Sequence, residues 1–168
     1  MTIYSIDSLK VEQNIQTLQR KAGVPLIAVV KNNGYGLGLE WLIATIGSSA
    51  AAHALDLAAN RLGIQARAHL KVDTGLGRYG FAPQKIQAIA SCFALDGLRV
   101  EGIYSHFSDA SDLNHPETSA QELATFKQCV ISLQDRGFDT GIRHMANSAG
   151  LFNVSNSALD AVRIGSGF

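Results

Sequence analysis

The feature that most constrains this chain is an alternation. Short apolar runs recur between stretches with helical spacing, and most runs end on a polar residue. That alternation is the signature of a parallel α/β fold. LIAVVK follows Pro25 and ends on Lys31. LIATIG ends at Gly47, ARAHLKVD near Asp73, LRVEGIYSHF at Phe107, IRHMANSA just past Ser148, and AVRIGSGF at the C-terminus. Between them, Leu9, Ile15 and Leu18 mark a helix over Ser8 to Ala22. Ser48 or Ser49 caps an Ala-rich helix that Gly63 ends after Leu62. A further helix follows Pro83, which suits a first-turn position, and a long one runs from Thr118 to Arg136 and stops at Gly137.

One connection breaks the rhythm. Only Asn32 to Trp41 separate the run ending at Lys31 from the run beginning at Leu42. Parallel neighbours need a crossover of about a dozen residues or more, usually helical. Gly34, Gly36 and Gly38 make this stretch a poor helix. Either the two strands are not parallel neighbours, or a segment is missing relative to a complete fold.

Composition narrows the functional classes. A chain of 168 residues with zero formal net charge forms one core-bearing domain, taken here as 1–168, and carries no basic field for nucleic acid or anionic lipid. Cys92 and Cys129 lack metal or redox spacing and read as reduced, partly buried thiols. No secretory signal opens the chain and no apolar run approaches a membrane span, so a cytoplasmic protein without membrane partners is expected.

In barrels and open parallel sheets, ligands bind at the C-terminal ends of the strands. Here those ends carry Lys31, then Lys71 and Asp73 followed by TGLGRYGF, then His106, then Asn147 and Ser148, then Arg163, Gly165 and Ser166. With Arg78 from the glycine-rich loop, this predicts a cationic face suited to an anionic ligand, a phosphate in particular. Blander readings stand beside it. Lys31 alone would be a solvated lysine, and Gly75, Gly77 and Gly80 mark turns rather than a dinucleotide fingerprint. His69 reads as a packed core histidine, and His53 and His115 as surface residues. His106 fits a structural or a site role equally. SDASDLNHP reads as a capped polar loop rather than a metal site at Asp109, Asp112 and His115, and no metal is expected.

Taken together, AVVKNNGYGLG, HLKVDTGLGRYGF, GIYSHFSDAS, HMANSAG and VRIGSGF resemble, in order, the motifs of the alanine racemase family in its N-terminal barrel, which binds pyridoxal 5'-phosphate (PLP). Leu76 stands where that family usually has Met, and Ile164 where it usually has Pro. The resemblance implies an α/β, TIM-barrel-like domain. It implies that Lys31 binds PLP covalently and acts as one catalytic base, and that Tyr35 helps hold the phosphate. Lys71, carbamylated in some relatives, would position Arg78, a catalytic residue near the cofactor phenolate and substrate carboxylate. His106 would line the ring. Asn147, Ser148 and the backbone of Gly165 and Ser166 would cradle the phosphate. Arg163 would face the pyridine nitrogen and, being always protonated, leave it unprotonated.

Two departures qualify that implication. The short connection after Lys31 stands where the family has about two more βα units, so the barrel is expected to be open or incomplete, and an open edge favours a homo-oligomer. The family's C-terminal β domain, which supplies the opposite-face tyrosine, has no counterpart after Ser166, so no residue is assigned as a second base. The expected function is a PLP-dependent amino-acid racemase acting on a small amino acid such as L- or D-alanine, with weak turnover or none from this chain alone. The alternatives are a single-domain PLP-binding protein of the PLP homeostasis type, or a truncated barrel without turnover.

Overall fold

The computed structural model describes residues 13, 16–17, 19–28 and 43–165. Six strands run through them: β1 (Leu26–Ala28), β2 (Ala44–Ile46), β3 (Ala66–Lys71), β4 (Leu98–Tyr104), β5 (Ile142–His144) and β6 (Val162–Ile164). Every pairing is parallel, in two ladders ordered β2-β3-β4-β5 and β1-β6. An isolated bridge from His144 to Ala161 joins the ladders, and the Arg163 amide donates to the Ala146 carbonyl at 2.9 Å. The spatial order is therefore β2-β3-β4-β5-β6-β1. The first and last strands lie side by side, as they must in a closing barrel. Among the described residues no ladder joins β1 to β2, which is where the connection is too short for a parallel crossover. Among the described residues these two strands are the ends of the order and are not paired with each other.

Four helices alternate with the strands: α1 (Ser49–Leu62), α2 (Ile86–Ala90, continued as a 3-10 turn over Ser91–Ala94), α3 (Pro116–Gln134) and α4 (Ser148–Asn153). Ser48 caps α1, its Oγ accepting from the Ala51 amide at 3.2 Å, and Gly63 ends it in the left-handed conformation at φ 64°. The α3 helix starts two residues earlier than its apolar spacing suggests, because Pro116 sits in its first turn. Residues 13, 16–17 and 19–22 are helical, while Leu9, Ile15 and Leu18 lie outside the described residues.

Three boundaries differ from expectation. Pro83 is not in the first turn of α2. It sits in a turn closed by the Lys85 amide on the Ala82 carbonyl at 2.9 Å, because Phe81 is still bridged to Val72 and the chain must reverse first. The β4 strand ends at Tyr104, short of His106 and Phe107. The fifth strand ends at His144, because the Asn147 side chain accepts from the Gly150 amide at 2.8 Å and starts α4.

Successive strand residues face opposite sides. Leu70, Ile103, Val162 and Ile164 point outward and pack with Ile89, Leu123, Phe126 and Leu133, all buried, to form the apolar layer between sheet and helices. Burial there contributes about 25 cal/mol per Å² of apolar surface. Cys92 and Cys129 belong to this layer as free thiols, and burial pushes both up to about 11. Among the described residues no helix is long and apolar enough to cross a membrane.

Candidate functional site

The other face of the sheet is polar. It carries His69 and Lys71 on β3, Gly102 and Tyr104 on β4, His144 on β5 and Arg163 on β6. These residues are brought together by long-range parallel register, not by local sequence. Arg163 is the hub, only 9% exposed. Its Nη1 donates to His144 Nδ1 at 2.6 Å. Its Nη2 reaches the Ser105 carbonyl at 2.8 Å, the Met145 carbonyl at 2.9 Å and His106 Nδ1 at 2.9 Å. The guanidinium also lies 4.9 Å from the Tyr104 ring centroid. Burial lowers the Arg163 pKa to about 10, so it stays charged at neutral pH.

His144 continues the chain of bonds. Its ring stacks on Tyr104 at 4.8 Å and 9°, and its Nε2 lies 2.8 Å from His69 Nδ1. His69 and His144 sit two strands apart, a span of about 9.6 Å. The strand between them presents Gly102 opposite His69, and the missing side chain leaves room for the imidazole to cross. A register shift between Ala68 and His69 skips Glu101 and brings Gly102 into that place. A Cβ on Gly102 would lie 2.8 Å from His69 Nε2 and 2.6 Å from the Ile142 carbonyl. Gly102→Ala is therefore expected to lower stability by about 2 kcal/mol in urea unfolding, the usual cost of overpacking. An unchanged midpoint would show that β4 and His69 yield freely.

Lys71 is 1% exposed, donates from Nζ to the Tyr79 carbonyl and lies 4.8 Å from the Tyr79 ring centroid. Its pKa is lowered, chiefly by burial and also by Arg78 and Arg163, against the pull of Asp73. The Tyr79 and Tyr104 hydroxyls meet at 2.9 Å, and burial is the main reason Tyr104 is pushed up to about 12. The loop between Asp73 and Phe81 is closed at its base by paired backbone bonds at 2.8 Å. Asp73 Oδ1 accepts from the Gly75 and Gly77 amides, and Gly77 and Gly80 take φ values of 68° and 136°. These glycines do mark turns. Thr74 ties the loop to the end of β4 through a 2.7 Å contact with the Ser105 hydroxyl.

The expected site residues are thus placed unevenly. Lys71, His106 and Arg163 share one cluster. His106 is half-buried and pushed down to about 4, by burial first and then by Arg163, Arg78 and Lys71. Arg78 is exposed at the loop tip and makes no hydrogen bond or ion pair among the described residues. Lys71 contacts Tyr79 rather than Arg78, since an unmodified ammonium offers a guanidinium no acceptor. Asn147 caps α4, Ser148 opens it, and Gly165 is exposed just past β6. Lys31, Tyr35 and Ser166 lie outside the described residues. Sequence reading missed His144 and Tyr104, and placed His69 in the core without its link to Arg163. Alternation was a signal for His69 alone, which lies two residues before Lys71 on β3; the residues two before Tyr104 and His144 are Gly102 and Ile142, which give no such signal. His53 and His115 are exposed, and Asp109 and Asp112 accept from the Ser111 and Asn114 amides, as a capped loop requires.

The donor set has a net sign. Among the described residues Lys71, Arg78 and Arg163 form no ion pair, and the hydrogen-bond acceptors around Arg163 are neutral carbonyls and imidazoles. Cations held without carboxylates at strand ends fit a ligand that carries negative charge at one end and an acceptor nitrogen at another. A phosphorylated pyridine such as PLP has that chemistry.

Comparisons with known proteins agree with this geometry. The family described as alanine racemase, N-terminal domain, matches residues 40–168. The alanine racemase of Desulfovibrio desulfuricans is 36% identical over 122 residues, covering 72% of this chain and 33% of the relative. The alanine racemase of Symbiobacterium thermophilum is 32% identical over 213 aligned positions, covering 95% of this chain and 56% of the relative. That alignment is longer than the chain's 168 residues, so the relative carries residues with no counterpart here. The alanine racemase structure from D-cycloserine producing Streptomyces lavendulae matches with a TM-score of 0.77 at 25% identity, covering 90% of this chain and 54% of that one. The chain spans between a third and just over half of these relatives.

Proposed function

We propose, because this chain belongs to the alanine racemase N-terminal domain family, that it binds PLP through Lys31 and acts on the Cα proton of a small amino acid, as an alanine racemase-like isomerase. The observation that carries this reading is Arg163: a buried cation at a strand end, fixed by neutral acceptors and flanked by Lys71 and His106. PLP, when bound, supplies an electron sink for charge developing at the substrate Cα. In this reading Arg163 faces the ring nitrogen and holds its own proton. His106 lines the ring in neutral form. Arg78 supplies positive charge for the substrate carboxylate and the cofactor phenolate, with Lys71 supporting it. Tyr35, Asn147, Ser148, Gly165 and Ser166 hold the phosphate. Lys31 anchors the cofactor and exchanges the Cα proton on one face. The same proposal takes residues 1–168 as one PLP-binding unit that assembles as a homo-oligomer. The two buried, protonated thiols support a cytoplasmic setting.

The test is mass spectrometry after PLP incubation and borohydride reduction, paired with proton NMR of L- and D-alanine in D2O. The Lys31 peptide is expected to gain the reduced PLP mass, and Lys31→Ala to lose both the adduct and all exchange at Cα. Turnover surviving in Lys31→Ala would sink the assignment. A second reading, PLP binding without turnover, is favoured by the short stretch from Asn32 to Trp41 and by the fact that no ladder joins β1 to β2 among the described residues. An adduct on Lys31 with no Cα exchange would select it.

A further inference from the structure

The His69–His144 pair is not accounted for by any role assigned above. We propose that these two histidines are positioning residues for Arg163: they fix the direction in which it offers its hydrogens and form a relay closed to proton movement. This rests on the reading that Arg163 faces the PLP ring nitrogen. The relay itself follows from hydrogen-bond bookkeeping.

Arg163 can only donate, so His144 Nδ1, 2.6 Å from Nη1, must accept. A histidine that accepts at Nδ1 is neutral and carries its proton on Nε2. That proton points at His69 Nδ1, 2.8 Å away, which must in turn accept. His69 is then also neutral, with its proton on Nε2. Among the described residues that atom is buried and has no partner. It sits over Gly102, where even a methyl group would collide with it. The chain of bonds therefore runs one way, from Arg163 to His144 to His69, and ends on an N–H with nothing to receive its proton. His144 cannot pass a proton onward unless His69 loses one, and His69 has no acceptor.

The surroundings reinforce this direction. Tyr104, from β4, stacks flat on His144 and holds its ring plane. The charged groups acting on the pair are Arg163 from β6, Arg67 from β3, Glu101 from β4 and Asp160 before β6. Glu101 is engaged by Arg67 at 2.7 Å and Arg99 at 3.2 Å, and Asp160 by Arg143 at 2.6 Å. The nearest carboxylates are thus already paired with other cations. A carboxylate at position 144 would neutralise Arg163. An imidazole fixes its orientation and leaves its charge intact.

The test uses the full chain labelled with 15N, and needs no cofactor for its first arm. Long-range proton–nitrogen correlation at pH 7 is expected to show both rings neutral, protonated on Nε2, with unprotonated Nδ1. His69→Gln and His144→Gln assign the signals. The His144 pattern is expected to persist to pH 6, while the chain is still folded. A His144 ring protonated on Nδ1, or charged, overturns the relay. The second arm measures PLP affinity. Glutamine can accept from Arg163 and donate onward, so His144→Gln should stay within about threefold of the parent, whereas His144→Leu should weaken PLP about tenfold, the value of a hydrogen bond to a charged group. Equal loss in both variants assigns His144 to packing alone and overturns the positioning role. If the parent chain takes up no PLP, the cofactor reading fails while the ring tautomers still decide the relay. If PLP binds and the tautomers are wrong, the relay alone falls.

Discussion

Arg163→Met lowers the stability of the chain by about 3 kcal/mol in urea unfolding, with an unchanged dependence on denaturant. Methionine matches the length of the side chain but donates nothing. It leaves the Ser105 carbonyl, the Met145 carbonyl and His144 Nδ1 buried without their donor. A buried acceptor stripped of its partner costs about 1–3 kcal/mol. Removing a desolvated cation offsets part of that sum, because a buried charge is itself expensive. Arg163→Lys keeps the charge but replaces a planar fork with a point donor, so it should fall between methionine and the parent. The same substitution has a second readout. Arg163 holds the His144 pKa down to about 2 and the His106 pKa to about 4, in each case second to burial, so both must rise in Arg163→Met. A methionine variant within about 0.5 kcal/mol of the parent, with histidines that titrate as before, would show that the cluster contributes nothing net.

How much of this was legible in the sequence depends on the range of the interaction. The α1 helix was legible at both ends, since Ser48 and Gly63 act within four residues of the backbone groups they satisfy. The order of elements followed from alternation of apolar runs. The short stretch from Asn32 to Trp41 is in line with the lack of a ladder between β1 and β2 among the described residues. Boundaries were legible only where a local cap decides them. Asn147 was read as a strand end, but its side chain turns back on Gly150 and starts a helix instead. The gathering of polar groups at strand ends located Lys71, His106 and Arg163. What the sequence did not show is why Arg163 is held. That depends on His144 on the neighbouring strand, on His69 two strands beyond His144, and on the absence of a side chain at Gly102. Register across four strands sets those meetings, and no local pattern encodes it. His69 was rightly placed inside the fold, yet burial alone did not say what it touches.

Acid provides the sharpest whole-molecule test of those buried histidines. Stability should be level between about pH 7 and 8 and fall steeply below pH 6.5. The sign follows from linkage. In the unfolded chain each histidine takes up its proton near pH 6.5. In the folded chain His69, His106 and His144 all have lowered pKa values, with burial the leading cause in each. Below pH 6.5 the unfolded state therefore binds protons that the folded state refuses, and folding weakens as pH falls. Each such histidine contributes a slope of about 1.4 kcal/mol per pH unit until its folded pKa is reached. For His106 that point is about 4 and for His144 about 2, so both act through the whole interval from 6.5 to 5. Together they remove about 4 kcal/mol by pH 5, and His69 adds to the same side. Asp109 and Asp160 also have lowered pKa values, but their stabilising share is lost only as pH falls below the ordinary carboxylate range. Against a typical stability of about 5–15 kcal/mol, the histidine loss brings the chain close to unfolding. Urea midpoints at pH 8, 6.5 and 5 measure it. His144→Gln removes one proton-accepting site from the unfolded chain and should flatten the slope by about 1.4 kcal/mol per pH unit. A midpoint that stays level from pH 8 to 5 would mean that these rings are charged or solvated in the folded chain. Arg163 would then lack the neutral acceptor that aims it.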